Sequence, residues 1–341
     1  MMNRREFLKT ALATGTASLL AISGKAMYAF AEPGGTQEKK VFLPFVSNRT
    51  GASVNTNPPA QTTRLIFIHH STGQNWMDDD NGGLAKALRD NNYYVSDTNY
   101  GWGPKDIDET PIGDKTDTGY WYDWFLGPDR DTYCSALYNE TDQTFPYSRL
   151  ANNPGGPNTV IMFKSCFPNS NINGNPNDPP TSGPNPMEGH SVDDTYTVGN
   201  IKRLYNDLLG YFGSHLDKLF ILIVTPPLSS GDTTPEQAAN ARTVANWVID
   251  SWLSNYPYQN VAAFDFYNVL TSNTGSGDND LGLATGNHHR VNGGVIEHIT
   301  DQGTNTLAYP TGDSHPAQPG NLKATGEYLP LLNAFYHRWA G

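Results

Sequence analysis

The run "KLFILIVTPP", Lys218 to Pro227, is continuously apolar until a proline pair cuts it short. A strand reads this way only when both of its faces are buried, and Pro226 ends it because proline has no N–H to offer a neighbouring strand. "TVIMFK" (Thr159–Lys164) and the apolar stretch of Arg64–Ile68 have the same character, and Tyr93–Asp97 reads as a shorter strand. Val261–Leu270, "VAAFDFYNVL", opens as another. Between them the period changes. Gly82–Asn91 places Leu84, Ala87 and Leu88 at helical spacing, and Tyr196–Phe212 does so with Ile201, Leu204, Leu208 and Leu209. Glu236–Leu253 and Gly320–Trp339 read as two further helices. Alternating strands and helices predict an α/β fold, a three-layer α/β/α sandwich with a mostly parallel sheet and long surface loops.

In such sheets ligands bind beyond the carboxyl ends of the strands. Polar clusters stand at those ends. "HHSTG" (His69–Gly73) follows the first strand, "NYGWGP" the second, "KSCFPNSNI" the third, and "TPPLSS" closes the strand from Lys218; "YPTGDSHPAQPGN" precedes the last helix. These residue types suit acyl transfer. A serine hydroxyl becomes nucleophilic when an imidazole takes its proton, and a carboxylate orients that imidazole. Ser71, His315 and Asp313 are the candidates. An oxyanion needs N–H donors. Gly101 or Gly103 could supply one, the Ser71 backbone another, and Asn169 or Asn171 a side-chain amide.

The order of these motifs resembles the SGNH (GDSL-like) hydrolases over about residues 64 to 338. That family carries a serine after the first strand, a glycine after the second, an asparagine after the third and a late D-x-x-H-P. Here the usual G-D-S reads His-His-Ser, and the aspartate precedes the histidine by two positions. The resemblance implies an SGNH-hydrolase or flavodoxin-like sandwich. It further implies Ser71 as nucleophile, His315 as base, Asp313 as its partner, and Gly103 with Asn169 as oxyanion donors. Neither a cofactor nor a metal is then required.

The N-terminus reads separately. Arg4-Arg5 followed by Phe7-Leu8-Lys9, a mildly apolar stretch and small residues up to Ala31 resemble a bacterial twin-arginine signal. This predicts residues 1–31 as a signal read by the Tat export machinery, with a periplasmic, cell-surface or extracellular destination. Residues 32–63, rich in Pro, Gly, Asn, Thr and Ser, read as a linker or surface tether, and 64–341 as the catalytic domain. A net charge of −12 argues against nucleic acid and anionic membrane as partners. Cys134 and Cys166 are the only cysteines and are open to a disulfide or to two free thiols.

The substrate expected is a carbohydrate or acylated small molecule, most simply an acetyl or other acyl ester on a sugar. The insertion around Trp102, Tyr120, Trp121, Tyr122, Trp124 and Phe125 carries the ring faces and carboxylates a sugar cleft uses, or forms a satellite core beneath a long loop. His70, Trp102, Trp121 and His289 are the candidate substrate contacts. Rival readings are a non-catalytic glycan-binding module, a glycoside hydrolase using Asp106, Asp117 or Asp123, and Cys166 as nucleophile. A metal centre built on His69-His70 and His288-His289 lacks ligand spacing, since neighbours on a strand point to opposite faces.

Overall fold

A computed structural model describes residues 53–189, 195–271, 286–300 and 305–341. The expected signal, and the tether up to residue 52, lie outside them. The five central strands are β1 (Thr63–Ile68), β2 (Tyr93–Thr98), β3 (Val160–Lys164), β4 (Leu219–Ile223) and β5 (Val261–Phe264). They pair in the order β2-β1-β3-β4-β5, every pair parallel. In this order the connections leave β1 and β3 in opposite directions, which opens a crevice at the carboxyl ends of that pair.

Helices α1 (Ser71–Met77), α2 (Leu84–Asp90), α3 (Trp121–Phe125), α4 (Arg130–Asn139), α5 (Val198–Gly213), α6 (Pro235–Asp250), α7 (Phe266–Val269) and α8 (Gln318–Ala340) cover the sheet. The strands are apolar on both faces because both are covered. Leu65, Phe67, Met162, Ile221 and Phe264 pack against Trp76, Leu88, Tyr328 and Leu332 of α1, α2 and α8. Ile66, Ile68, Phe163 and Phe220 pack against α3, α5 and α6 through Phe125, Leu208, Phe212 and Val244. Local chemistry sets the helix starts. Thr234 forms a reciprocal capping box with Gln237 ahead of Pro235, and Thr197 accepts from the Asn200 N–H.

Two stretches add to the expected pattern. The strand at Val261 ends at Phe264, because the Asp265 carboxylate accepts the Asn268 N–H at 2.8 Å and caps α7. His288–Asn292, to which the sequence reading gave no secondary structure, is β6, paired antiparallel with β7 (Val295–Ile299). The end of the tether lies on the domain: Val54 N donates to the Gly294 carbonyl, and Asn333 Nδ2 and the His337 ring reach the Thr56 and Asn57 carbonyls.

Candidate active site

The polar cluster after β1 is a helix start. His70 is still extended (φ −124°, ψ −154°), and its carbonyl accepts the Gly73 and Gln74 N–H groups at 2.9 Å. Gly73 permits so sharp an entry: a β-carbon there would stand 2.4 Å from His69 Cβ. The close approach fixes Ser71 at the crest of the turn, over the β1/β3 crevice. Gly73→Ala should therefore destabilise the fold by about 1–3 kcal/mol, the usual cost of overpacking. A urea midpoint equal to wild type would contradict this.

Ser71 Oγ lies 2.9 Å from His315 Nε2. On the far side of the ring, Nδ1 meets both Asp313 carboxylate oxygens at 3.0 and 3.1 Å. A carboxylate only accepts, so Nδ1 carries the proton and Nε2 presents its lone pair to the serine hydroxyl. Asp313 also accepts the His315 backbone N–H at 2.7 Å and the Thr311 hydroxyl at 3.0 Å. This tight Asx-type turn explains how an aspartate two residues before the histidine can serve it. Burial alone would raise the Asp313 carboxyl, but the backbone N–H and ring of His315 and the Thr311 hydroxyl outweigh it and hold the group below its ordinary value. The loop is closed by a Pro310–Pro316 bridge and pinned by Ser229, whose hydroxyl donates to the Asp313 carbonyl at 2.9 Å. Phe167 meets the His315 ring edge-on at 4.9 Å.

Behind the serine, Cys166 Sγ approaches Ser71 Oγ at 3.5 Å and Thr72 Oγ1 at 3.4 Å. Lys164, fully buried at the end of β3, donates to the Thr72 hydroxyl and to the Ser165 carbonyl. Burial pushes the Lys164 ammonium down to about 8, against the pull of Cys166. The Cys166 thiol would rise with burial, but the Lys164 charge and the hydroxyls of Ser71 and Thr72 lower it. Both cysteines are free thiols, Cys134 lying in α4.

The other anticipated residues spread out. Asn169 is buried, its carbonyl oxygen accepting the Thr118 N–H at 2.6 Å and the Tyr196 hydroxyl at 2.7 Å. Its amide nitrogen donates to Asp117 at 2.9 Å. The Asn171 amide donates instead to the Asp232 carbonyl at 3.3 Å. Gly103 sits on an exposed loop at φ 86°, against Ile112; no hydrogen bond among the described residues joins it to Ser71. His70 is buried, stacked under Tyr100 at 3.7 Å with Nε2 on the Gly113 carbonyl at 2.6 Å, so its ring is spent on the protein.

Trp121 is wholly buried and donates to Ser165 Oγ at 2.9 Å. Trp102 stacks on Trp124 at 6.0 Å and donates to Glu140 at 2.6 Å. The aromatic insertion is therefore part of the main core on this face of the sheet, where Trp121 and Phe125 pack on Phe163, and Trp121 has no face left for a sugar. His289 is also buried, accepting the Asp265 N–H at 3.1 Å and stacked on Phe264. It contacts the β5 end, not the serine. Asp106 and Asp123 close on Lys115 at 2.5 and 3.5 Å, and Asp117 holds Asn169, so the three carboxylates do not oppose one another across a cleft.

Sequence reasoning did not find Thr72, Lys164, Thr311 or Phe167. Lys164 left one trace, a lysine closing a strand that is otherwise apolar. Comparison of the chain with family models, curated proteins and solved structures finds no match.

Proposed function

We propose that the protein is an exported serine ester hydrolase of the SGNH type that removes an acyl group, most simply acetyl, from a carbohydrate. The observation that carries this reading is the 2.9 Å contact between Ser71 Oγ and the unprotonated nitrogen of His315, with Asp313 on the opposite nitrogen. In the reaction, Ser71 Oγ attacks the ester carbonyl as its proton passes to His315 Nε2. The resulting imidazolium is stabilised by Asp313. The sugar hydroxyl leaves with the proton from Nε2, and water activated by the same nitrogen releases the acid. The Ser71 N–H, at the start of α1, and the Asn169 side-chain amide are the oxyanion donors in this reading. Tyr100, 60% exposed, and Phe167 are the rings left near the serine to meet a substrate.

The purified protein should react with a fluorophosphonate probe, the adduct mapping to Ser71 by peptide mass, and should release acetate from acetylated xylan. An unlabelled protein that binds the polysaccharide without releasing acid would support the binding-module reading instead. A second reading rests on the Cys166 thiol, 3.5 Å from Ser71 Oγ. Under the serine mechanism Cys166→Ala keeps the fluorophosphonate adduct; loss of activity in Cys166→Ala with full activity in Ser71→Ala would favour the thiol.

A further inference from the structure

A groove of about 830 Å³ lies well away from Ser71, lined by the last turns of α5 and α6 and by the segment that follows α6. These elements lead into β4 and β5, so the groove is at the end of the sheet where strands begin, opposite the rim that carries Ser71 and His315. None of the groups around Ser71 contributes to it.

Its lining has a consistent chemistry. Trp247, Tyr258 and Leu209 supply apolar surface, while Asn206, Asn255 and Ser251 supply amide and hydroxyl groups. The side chains of Asn206, Asn255 and Ser251 and the indole N–H of Trp247 have no hydrogen-bond partner among the described residues. No acidic or basic side chain lines the groove, although the chain carries a net charge of −12. Lys202 lies over the Trp247 ring at 5.9 Å, but its ammonium is spent on the Asp178 carbonyl. Gly210 faces open space, and Gly213 brings α5 so close to Tyr258 that a β-carbon would stand 3.2 Å from that ring. The Tyr258 ring therefore rests on the helix while remaining 43% exposed.

Unspent neutral donors and acceptors beside aromatic rings, with charge excluded, suit a ligand that is itself uncharged, rich in hydroxyls and apolar on its C–H faces. We propose that this groove is a second binding site, for a segment of neutral polysaccharide, separate from the catalytic centre. Such a site would hold the protein on a polymer while Ser71 works elsewhere along it.

The test is isothermal titration of the Ser71→Ala protein with cellohexaose, xylohexaose and maltohexaose, with oligogalacturonate as the charged control. At least one neutral oligosaccharide is expected to bind, and the acidic one is not. Trp247→Ala and Tyr258→Ala should weaken that binding at least about tenfold. Gly210→Gln provides a variant that should fold well, because it replaces a helical glycine whose β-carbon meets nothing and projects an amide into the groove. It should abolish binding while leaving the thermal midpoint equal or higher. Failure of all three neutral probes, equal binding of oligogalacturonate, or binding unaffected by Gly210→Gln would each overturn the proposal. Because the protein tested lacks the serine hydroxyl, the result is independent of whether Ser71 is a nucleophile.

Discussion

Alanine at Ser71 or at His315 is expected to lower kcat on a short chromogenic ester by on the order of 10⁴- to 10⁶-fold. The double substitution should cost little more than either single one, because in the proposed mechanism the hydroxyl and the imidazole, 2.9 Å apart, act as one proton-transfer unit. Asp313→Asn should cost no more than about 10⁴-fold, for a reason visible in the site. The Asp313 carboxylate is 62% exposed and His315 is 24% exposed, so water already stabilises part of the charge that develops on the imidazolium. Its remaining contribution is orientation: an amide at position 313 can offer a donor to Nδ1 and turn the ring to the wrong tautomer. Steady-state rates on 4-nitrophenyl acetate would measure all three. Unimpaired hydrolysis by either alanine variant would end the serine mechanism.

The largest stability effect is expected at His298, far from any motif. This histidine joins the β6–β7 ribbon to the domain. Its Nδ1 lies 3.0 Å from Asp250 and its Nε2 lies 2.6 Å from Asp265, whose side chain is wholly buried. Burial alone would lower the imidazole, but the hydrogen bonds to Asp250 and Asp265 hold it up at about 9. Burial would likewise raise Asp265, and the His298 contact outweighs it. His298→Leu leaves a buried carboxylate without its counter-charge and should cost about 3–5 kcal/mol. Urea unfolding at neutral pH measures it, and a loss below ~1 kcal/mol would be incompatible with a charged pair.

The pH dependence of the wild-type protein follows from the same residues. The folded state raises His298 above its ordinary value of about 6.5, so its stabilisation is complete below that pH and is lost as pH rises through 9. The full effect is about 3 kcal/mol. His289 behaves oppositely. Burial and the neighbouring His298 charge push it down to about 3, so its neutral form stabilises the fold above 6.5 and that contribution fades as pH falls toward 3. Stability should peak near neutrality, and the alkaline limb should vanish in His298→Leu.

The strands and helices were legible because they are repetitive. An apolar run of five or six residues such as Leu219–Ile223 has few destinations other than the middle of a covered sheet. The late histidine and the first serine were legible for a related reason: the strand order fixes which loop ends meet, whatever lies between them. Side chains whose fate depends on long-range packing were not. Nothing near Trp121 in the chain reveals that its indole would find Ser165, 44 positions later, and so be lost to the core instead of a cleft. The surroundings of Asn169 were hidden for the same reason, since its side chain is bonded to the Asp117–Thr118 turn, about 50 positions earlier in the chain.

What the sequence determined alone was periodicity, and with it the alternation of strands and helices and the rim on which polar loops gather. Local rules also set the Thr234 capping box and the tight Asp313–His315 turn, whose bonding partners lie within three residues of each other. Only the tertiary structure decided which of the described histidines meets the Ser71 hydroxyl. His69, His288 and His298 are each held by a carboxylate from a distant segment, and His70 by the Gly113 carbonyl. The physical reason is that an imidazole takes whatever partner folding brings within about 3 Å, and that partner is chosen by packing the sheet, not by neighbours in the chain.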